Sequence, residues 1–375
     1  KVHRAQGLDW LPEELPCKFI VSATVETKPY EILKKRTALK MTELKLTPLS
    51  VAERTEIVRE ILWEYHKKLD ERPMNNQMRV LLRKTEATKP LYLVVACEEL
   101  RVFGVYEQIS ERIKNLGATT PKLFDEVLQR LEGDHGKEFV KTALTLILCS
   151  RGGLMENEMV DLLQIYNKTN NLDSSPEAVR QHWNRLYRSL GYFLKPSGDS
   201  TNGETTLNFF HEQMAIAVKK RYLSIAKSEI KIHEKIAQHF YGRADPKNDG
   251  TWLGATDQRA IRELPYHLTA GKMWKQLQKV LCDMSFIEIK CSYEMTFDLI
   301  ADYNLACAED SDEFAGKQEI REFMNFVKSS AHVLSKNPSL SFQQAANQPD
   351  HTAPAKEAQR LWSKIKSATS DQQVV

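Results

Sequence analysis

The chain lacks the loop that cradles phosphates in P-loop enzymes. Three Gly-Lys pairs occur, Gly136-Lys137, Gly271-Lys272 and Gly316-Lys317, but none has a glycine five residues upstream and none is followed by Ser or Thr. The pattern G-x-x-x-x-G-K-S/T is therefore absent. No apolar run ending in Asp precedes Trp10 either. Phosphoryl transfer requires a phosphate cradle and a Mg²⁺ ligand, so the chain alone is expected not to be an ATP-hydrolysing enzyme. Neither G-x-S-x-G nor H-E-x-x-H occurs. Cysteine is sparse: Cys17, Cys97, Cys149, Cys282, Cys291 and Cys307 are scattered with no C-x-x-C pair, and they are expected to be reduced thiols. Long apolar runs are missing as well; residues 143–149 fall far short of the ~20 needed to cross a bilayer. The opening KVHRAQGLDWLPEELP has no apolar core of the kind a signal peptide needs. These absences predict a cytoplasmic or nuclear chain with no membrane partner. Charge of one sign is also lacking. A net +3 over 375 residues does not call for a nucleic-acid or anionic-membrane partner.

A length of 375 residues, 42% hydrophobic, predicts two or three domains rather than one core. Residues 17–22 (Cys-Lys-Phe-Ile-Val-Ser) read as a short buried parallel strand. Leu44-Lys45-Leu46-Thr47-Pro48-Leu49 reads as a second short strand or turn. Helices then take over. Ser50 with Glu53 three residues on is in capping-box register, and Ile57, Ile61, Leu62, Tyr65 and Leu69 share a face of the helix expected over 51–70. Further helices are expected over 75–84, 90–103, 106–116 and 122–131, with Pro90 at a first-turn position. Three helices over 139–150, 156–168 and 176–189 precede two β-rich runs at 192–194 and 205–210, the order of a winged helix. The region 225–333 has helical spacing, and the Gln-, Ala- and Pro-rich stretch after Gln343 reads as a linker or disordered tail.

In this order the segments resemble the NACHT-type STAND nucleotide switches that carry WD repeats, most nearly the telomerase- and vault-associated subgroup. The resemblance rests on Trp10-Leu11-Pro12, Asn75-Asn76-Gln77-Met78-Arg79, Pro90-Leu91-Tyr92-Leu93 and residues 106–112 (Tyr-Glu-Gln-Ile-Ser-Glu-Arg). It continues through Ser150-Arg151-Gly152-Gly153-Leu154, Phe209-Phe210-His211, Leu264-Pro265-Tyr266-His267-Leu268 and residues 343–349 (Gln-Gln-Ala-Ala-Asn-Gln-Pro). It implies that the Walker A and B segments lie before Lys1 and that WD repeats follow Val375.

The resemblance also assigns candidate residues. A histidine at the strand-to-helix joint of the family's winged helix contacts the β-phosphate of ADP, and His211 holds that place. The alternative is a structural histidine that caps its own helix or packs under Phe209 and Phe210. The proline opening the 90–103 helix packs on adenine in the family; here it is Pro90, although Lys89 replaces a small residue and proline at this position is common without a ligand. At the end of the first strand, Ala23 stands where many relatives carry arginine, which leaves Ser22 or Thr24 as weak phosphate-side candidates. Lys219-Lys220-Arg221 with Lys227, Lys231 and Lys235 form a basic stretch that fits either DNA or a solvated helix face. His233 and His239 are six apart, off the i, i+4 spacing of a shared metal, and no metal site is expected.

The expected fold is mainly α. Residues 1–48 form the end of a P-loop α/β NACHT domain, 49–134 a helical bundle, 135–223 a winged helix, 224–340 a helical, repeat-like segment and 341–375 a linker. The expected function is the nucleotide-sensing part of a switch and assembly scaffold. The alternatives are a scaffold with vestigial nucleotide contacts, or nucleic-acid binding through the winged helix. ADP or ATP with Mg²⁺ is expected in the complete parent, a slow ATPase in this reading, with no tight binding by this chain alone. The expected partners are the upstream P-loop half of the same protein, other proteins, and RNA through other domains; oligomerisation is compatible with the resemblance.

Overall fold

The computed structural model describes residues 8, 11, 18–36, 42–197, 205–252, 257–309 and 314–371. The chain divides into two compact units, residues 1–50 and 51–375.

In the first unit, helix α1 (Lys28–Lys35) begins after Thr27, whose hydroxyl donates to the carbonyl of Thr24 at 2.6 Å, and Pro29 occupies its first turn. Arg36, just past its end, donates to the carbonyls of Leu8 and Leu11. The strand expected over 17–22 is not found. Cys17 lies outside the described residues, and residues 18–22 are irregular, with Phe19 half-exposed and Ile20 fully exposed. A parallel strand exists only through a neighbour that takes its backbone hydrogen bonds, and among the described residues no strand pairs with this one. Residues 44–49 are likewise irregular, with Leu44 and Leu46 in solvent.

Among the described residues, the second unit's regular structure is helical apart from one hairpin. Its first helices are α2 (Val51–Glu64), α3 (Gln77–Leu82), α4 (Pro90–Val102), α5 (Ile109–Asn115) and α6 (Thr120–His135). Proline at the first turn starts both α4 and α6, where its missing N–H costs nothing. α4 is apolar nearly all round and packs against both α2 and α6.

The winged helix follows with α7 (Lys137–Cys149), α8 (Glu156–Thr169), α9 (Pro176–Leu190), β1 (Leu194–Ser197), β2 (Thr206–Phe209) and α10 (Glu212–Tyr222). Ser175 caps α9, accepting from the Ala178 N–H, and Val179, Trp183, Leu186 and Leu190 repeat at helical spacing on its buried face. β1 and β2 pair antiparallel with Leu194 opposite Phe209, and Leu154 adds a bridge to Leu207 on the other side of β2. That bridge fixes Gly153 at φ +86°; a β-carbon there would lie 2.7 Å from the Leu207 carbonyl, so only glycine fits.

The remaining helices are α11 (Ala226–Ala244), α12 (Gln258–Ala270), α13 (Trp274–Leu281), α14 (Met284–Ser292), α15 (Thr296–Ala308), α16 (Lys317–Leu334), α17 (Ser341–Ala346) and α18 (Ala353–Asp371). They pack largely as sequential neighbours: α11 on α12, α15 on α16, α17 on α18. The last two helices correct the expected linker. Ala345, Ala355 and Ala358 are buried, and small side chains let a polar helix dock closely, a use of alanine that composition alone reads as disorder.

Candidate functional site

His211 sits where β2 hands over to α10. The hairpin closes just before it, with the Phe210 N–H donating to the Phe193 carbonyl at 2.9 Å. His211 has extended backbone angles (φ −121°, ψ 133°), and its carbonyl accepts from Met214, so it is the N-cap residue. Its side chain makes no capping hydrogen bond. Its ring lies edge-on to Phe210 at 4.3 Å. Partial burial holds its pKa below the usual imidazole value, so at neutral pH the ring is uncharged and can donate a single N–H. Of the two structural readings, helix capping does not hold, and packing is with Phe210.

Behind this joint, Phe193 meets Phe124 of α6 edge-on at 6.0 Å. Further along, Arg221 donates to both oxygens of Glu132 at 2.8 and 2.7 Å and to Asp125 at 2.5 Å. The Tyr222 hydroxyl also donates to Glu132 at 2.7 Å. The guanidinium holds the Glu132 carboxyl below its usual range. α10 is thus clamped on α6 by a two-pronged, charge-assisted contact. This decides much about the basic stretch. Arg221 is spent on α6, and Lys219 pairs with Glu229 at 3.1 Å, so two of the three adjacent cations face carboxylates.

Pro90 begins α4 with its ring exposed. The preceding Lys89 donates to Glu86 at 2.7 Å. The other Glu86 oxygen accepts from both the N–H and hydroxyl of Thr120, at 2.7 and 2.6 Å, where α6 starts. Lys89 first, then Thr120, pulls the Glu86 carboxyl down to about 2. Glu86, in the loop before Pro90, is therefore tied to α6 at Thr120, and Phe193, whose carbonyl closes the hairpin before His211, meets α6 at Phe124, about one helical turn on. Ser22 and Thr24 belong to the first unit, where both are exposed; the Thr24 carbonyl serves the turn that opens α1.

A second constellation went unnoticed in the sequence. Arg259 on α12 donates to Glu158 at 2.6 Å and to the Gly153 carbonyl at 2.6 Å, both buried. Arg151 donates to Asp302 at 3.1 Å. Lys290, fully buried, reaches Asp302 at 2.6 Å and the Ile261 carbonyl at 3.0 Å. The Arg151-Gly152-Gly153 turn of the winged helix is thus held to α12 by a hydrogen bond, to α15 by an ion pair, and through Asp302 to α14. The only trace of it in the sequence was a lone lysine in the apolar run of α14.

Comparison with known proteins divides the chain near residue 230. Residues 107–231 match the NWD1-like winged helix-turn-helix domain, and residues 230–364 match the APAF-1 helical domain. Telomerase protein component 1 of Rattus norvegicus is 32% identical over 359 residues, covering 92% of this chain. NACHT domain- and WD repeat-containing protein 1 of Homo sapiens is 30% identical over 230 residues, 52% of the chain. A TPR repeat-containing protein of Dictyostelium discoideum is 27% identical over 308 residues, 80% of the chain. The chain spans only 14% of the rat protein, 14% of the human one and 16% of the Dictyostelium one. With both domains matched in their order along the chain, and with these relatives, the chain belongs to the NACHT-type STAND family.

Proposed function

We propose that this chain is the nucleotide-responsive arm of a NACHT-type switch that also scaffolds an assembly, of the telomerase- or vault-type ribonucleoprotein kind that the resemblance implies and whose telomerase part accords with the name of the rat relative. The observation that carries the reading is that the loop before Pro90 and the hairpin before His211 both reach the start of α6, through Glu86 at Thr120 and through Phe193 at Phe124. Pro90 offers an exposed apolar ring suited to a flat base. His211 offers an imidazole not used as a helix cap, at the N-terminus of α10 where backbone N–H groups also favour an anion. These groups fit the two ends of an adenine nucleotide, whose phosphate cradle and Mg²⁺ ligand the upstream part of the protein would supply. A His211 contact made only with ADP bound would favour the closed state by its differential affinity and nothing else. Arg221 and Glu132 would pass movement of the winged helix to α6, and the buried ion pairs would pass it to the helical domain. Engagement of Lys219 and Arg221 by carboxylates speaks against the DNA reading.

The test is ADP calorimetry on this chain and on a protein extended upstream through the phosphate loop, each with and without His211→Ala. Tight binding is expected only in the extended wild type. The substitution should weaken it ~10–100-fold, the value of one hydrogen bond to a charged group. Equal affinity in the extended wild type and H211A would leave a scaffold whose nucleotide contacts are vestigial.

A further inference from the structure

Neither a C-x-x-C pair, an H-E-x-x-H motif nor an i, i+4 histidine pair marks a metal site in the sequence. The fold brings other ligands together. Glu229 and His233 are four residues apart and share a face of α11. Cys149, the last residue of α7, faces them, and α7 packs on α11. The thiol, a carboxylate oxygen and a ring nitrogen all lie within 4.8 Å of one another. Cys149 and His233 are buried, and Glu229 is partly exposed, which leaves a route from solvent.

We propose that Cys149, Glu229 and His233 form a zinc-class site. Thiolate, imidazole and carboxylate together are the donors that Zn²⁺ accepts, and three protein ligands leave a fourth position for water. Bonds of ~2.0–2.3 Å place tetrahedral ligands roughly 3.5 Å apart, so the cluster closes by side-chain rotation. On binding, the Cys149 S–H bond gives way to an S–Zn bond and the proton leaves to solvent. The His233 ring is already oriented: its Nδ1 is 3.1 Å from Nδ1 of the fully buried His267, and Tyr266 stands edge-on to it at 5.9 Å. A metal-bound histidine is commonly steadied by such an outer partner. Burial of the thiol opposes the ion, and so does the Lys219 ammonium. Lys219 holds Glu229 at 3.1 Å and must release it.

The position gives the site a use. Glu229 and His233 lie on either side of the point where the winged-helix match ends at 231 and the helical-domain match begins at 230, and Cys149 belongs to the winged helix. An ion here would staple the two domains at their joint, next to the buried pairs of Arg151 and Arg259.

The experiment is titration of the purified, reduced 375-residue chain with Co²⁺ and then Zn²⁺. One equivalent of Co²⁺ should produce thiolate-to-cobalt charge-transfer absorption, which Zn²⁺ abolishes by displacement. Cys149→Ser, nearly isosteric, should remove that absorption and lower zinc affinity by ~100-fold or more, since even outer-shell partners are worth ~10–100-fold. Glu229→Gln, at a partly exposed position that tolerates change, should weaken zinc at least ~10-fold with an unchanged circular dichroism spectrum. Lys219→Met should bind as tightly as wild type or more so. Absence of the thiolate band in wild type, its persistence in C149S, unaltered zinc affinity in E229Q, or weaker binding in K219M would each overturn the assignment.

Discussion

The ammonium of Lys290 lies 2.6 Å from Oδ2 of Asp302, with both side chains out of water. The lysine spends its other donors on the carbonyls of Ile261 at 3.0 Å and Arg262 at 3.4 Å, and the second aspartate oxygen takes Arg151 at 3.1 Å. Every strong donor and acceptor of the pair is used, which is the condition under which a buried ion pair persists. Asp302 bridges two cations from separate elements, so it joins the turn after α7 to α14.

Removing Asp302 alone should therefore be severe. Asp302→Asn leaves a buried ammonium and guanidinium short of charge, and a loss of about 3–5 kcal/mol is expected in urea unfolding. Asp302→Leu combined with Lys290→Met takes both buried charges away and should recover much of that loss. A double variant no more stable than D302N would show that Arg151, not Lys290, depends on the carboxylate.

Gly152 and Gly153 are adjacent and separate the two roles a glycine can have. Gly153 has φ +86°, and an added β-carbon would stand 2.7 Å from a backbone carbonyl and 2.5 Å from Asn208. Gly153→Ala should cost on the order of 2–4 kcal/mol, from the left-handed backbone together with overpacking against β2. Gly152 has no atom within 4 Å of the same position, and Gly152→Ala should change stability by less than about 0.5 kcal/mol. Equal midpoints for the two variants in urea would mean that the Leu154–Leu207 bridge is not held in solution.

What could be read from the sequence was what short-range physics determines. Pro90, Ser175 with Pro176, and the Val179–Trp183–Leu186–Leu190 spacing announce helices because caps, fixed φ and amphipathic period act within a few residues. The hairpin was also legible, although its first strand begins at Leu194 rather than Tyr192; the Phe193 carbonyl is used to close on Phe210. Phe19-Ile20-Val21 misled because an apolar β-branched run specifies a strand only when a partner lies alongside. The buried charges were out of reach for a related reason. Arg259 meets Glu158 across 101 positions, and no local pattern marks either residue. Glu229 and His233 were visible as an i, i+4 pair, but Cys149 joins them only through the packing of α7 on α11. His211 and Pro90 were found through family resemblance, and what the fold adds is the attachment of the segments before each of them to the start of α6.

That attachment makes a pH prediction. Glu86 accepts from Lys89 on one oxygen and from Thr120 on the other, and its pKa falls from the ordinary 4.5 to about 2. A carboxyl with a depressed folded pKa stabilises the fold fully above its unfolded value and loses that contribution as pH drops through the folded one. The stabilisation from Glu86 should thus be complete above roughly pH 5 and fade toward pH 2. Glu86→Gln keeps the shape but removes the charge and should cost about 1.5–3 kcal/mol at pH 7. Because the wild type alone loses this charge on acidification, the gap between the two proteins in urea unfolding should narrow steadily below pH 4.5. A gap constant from pH 7 to pH 3 would show that Thr120 is held by shape rather than by the carboxylate. The tie between the Pro90 end of α4 and the start of α6 would then not be electrostatic.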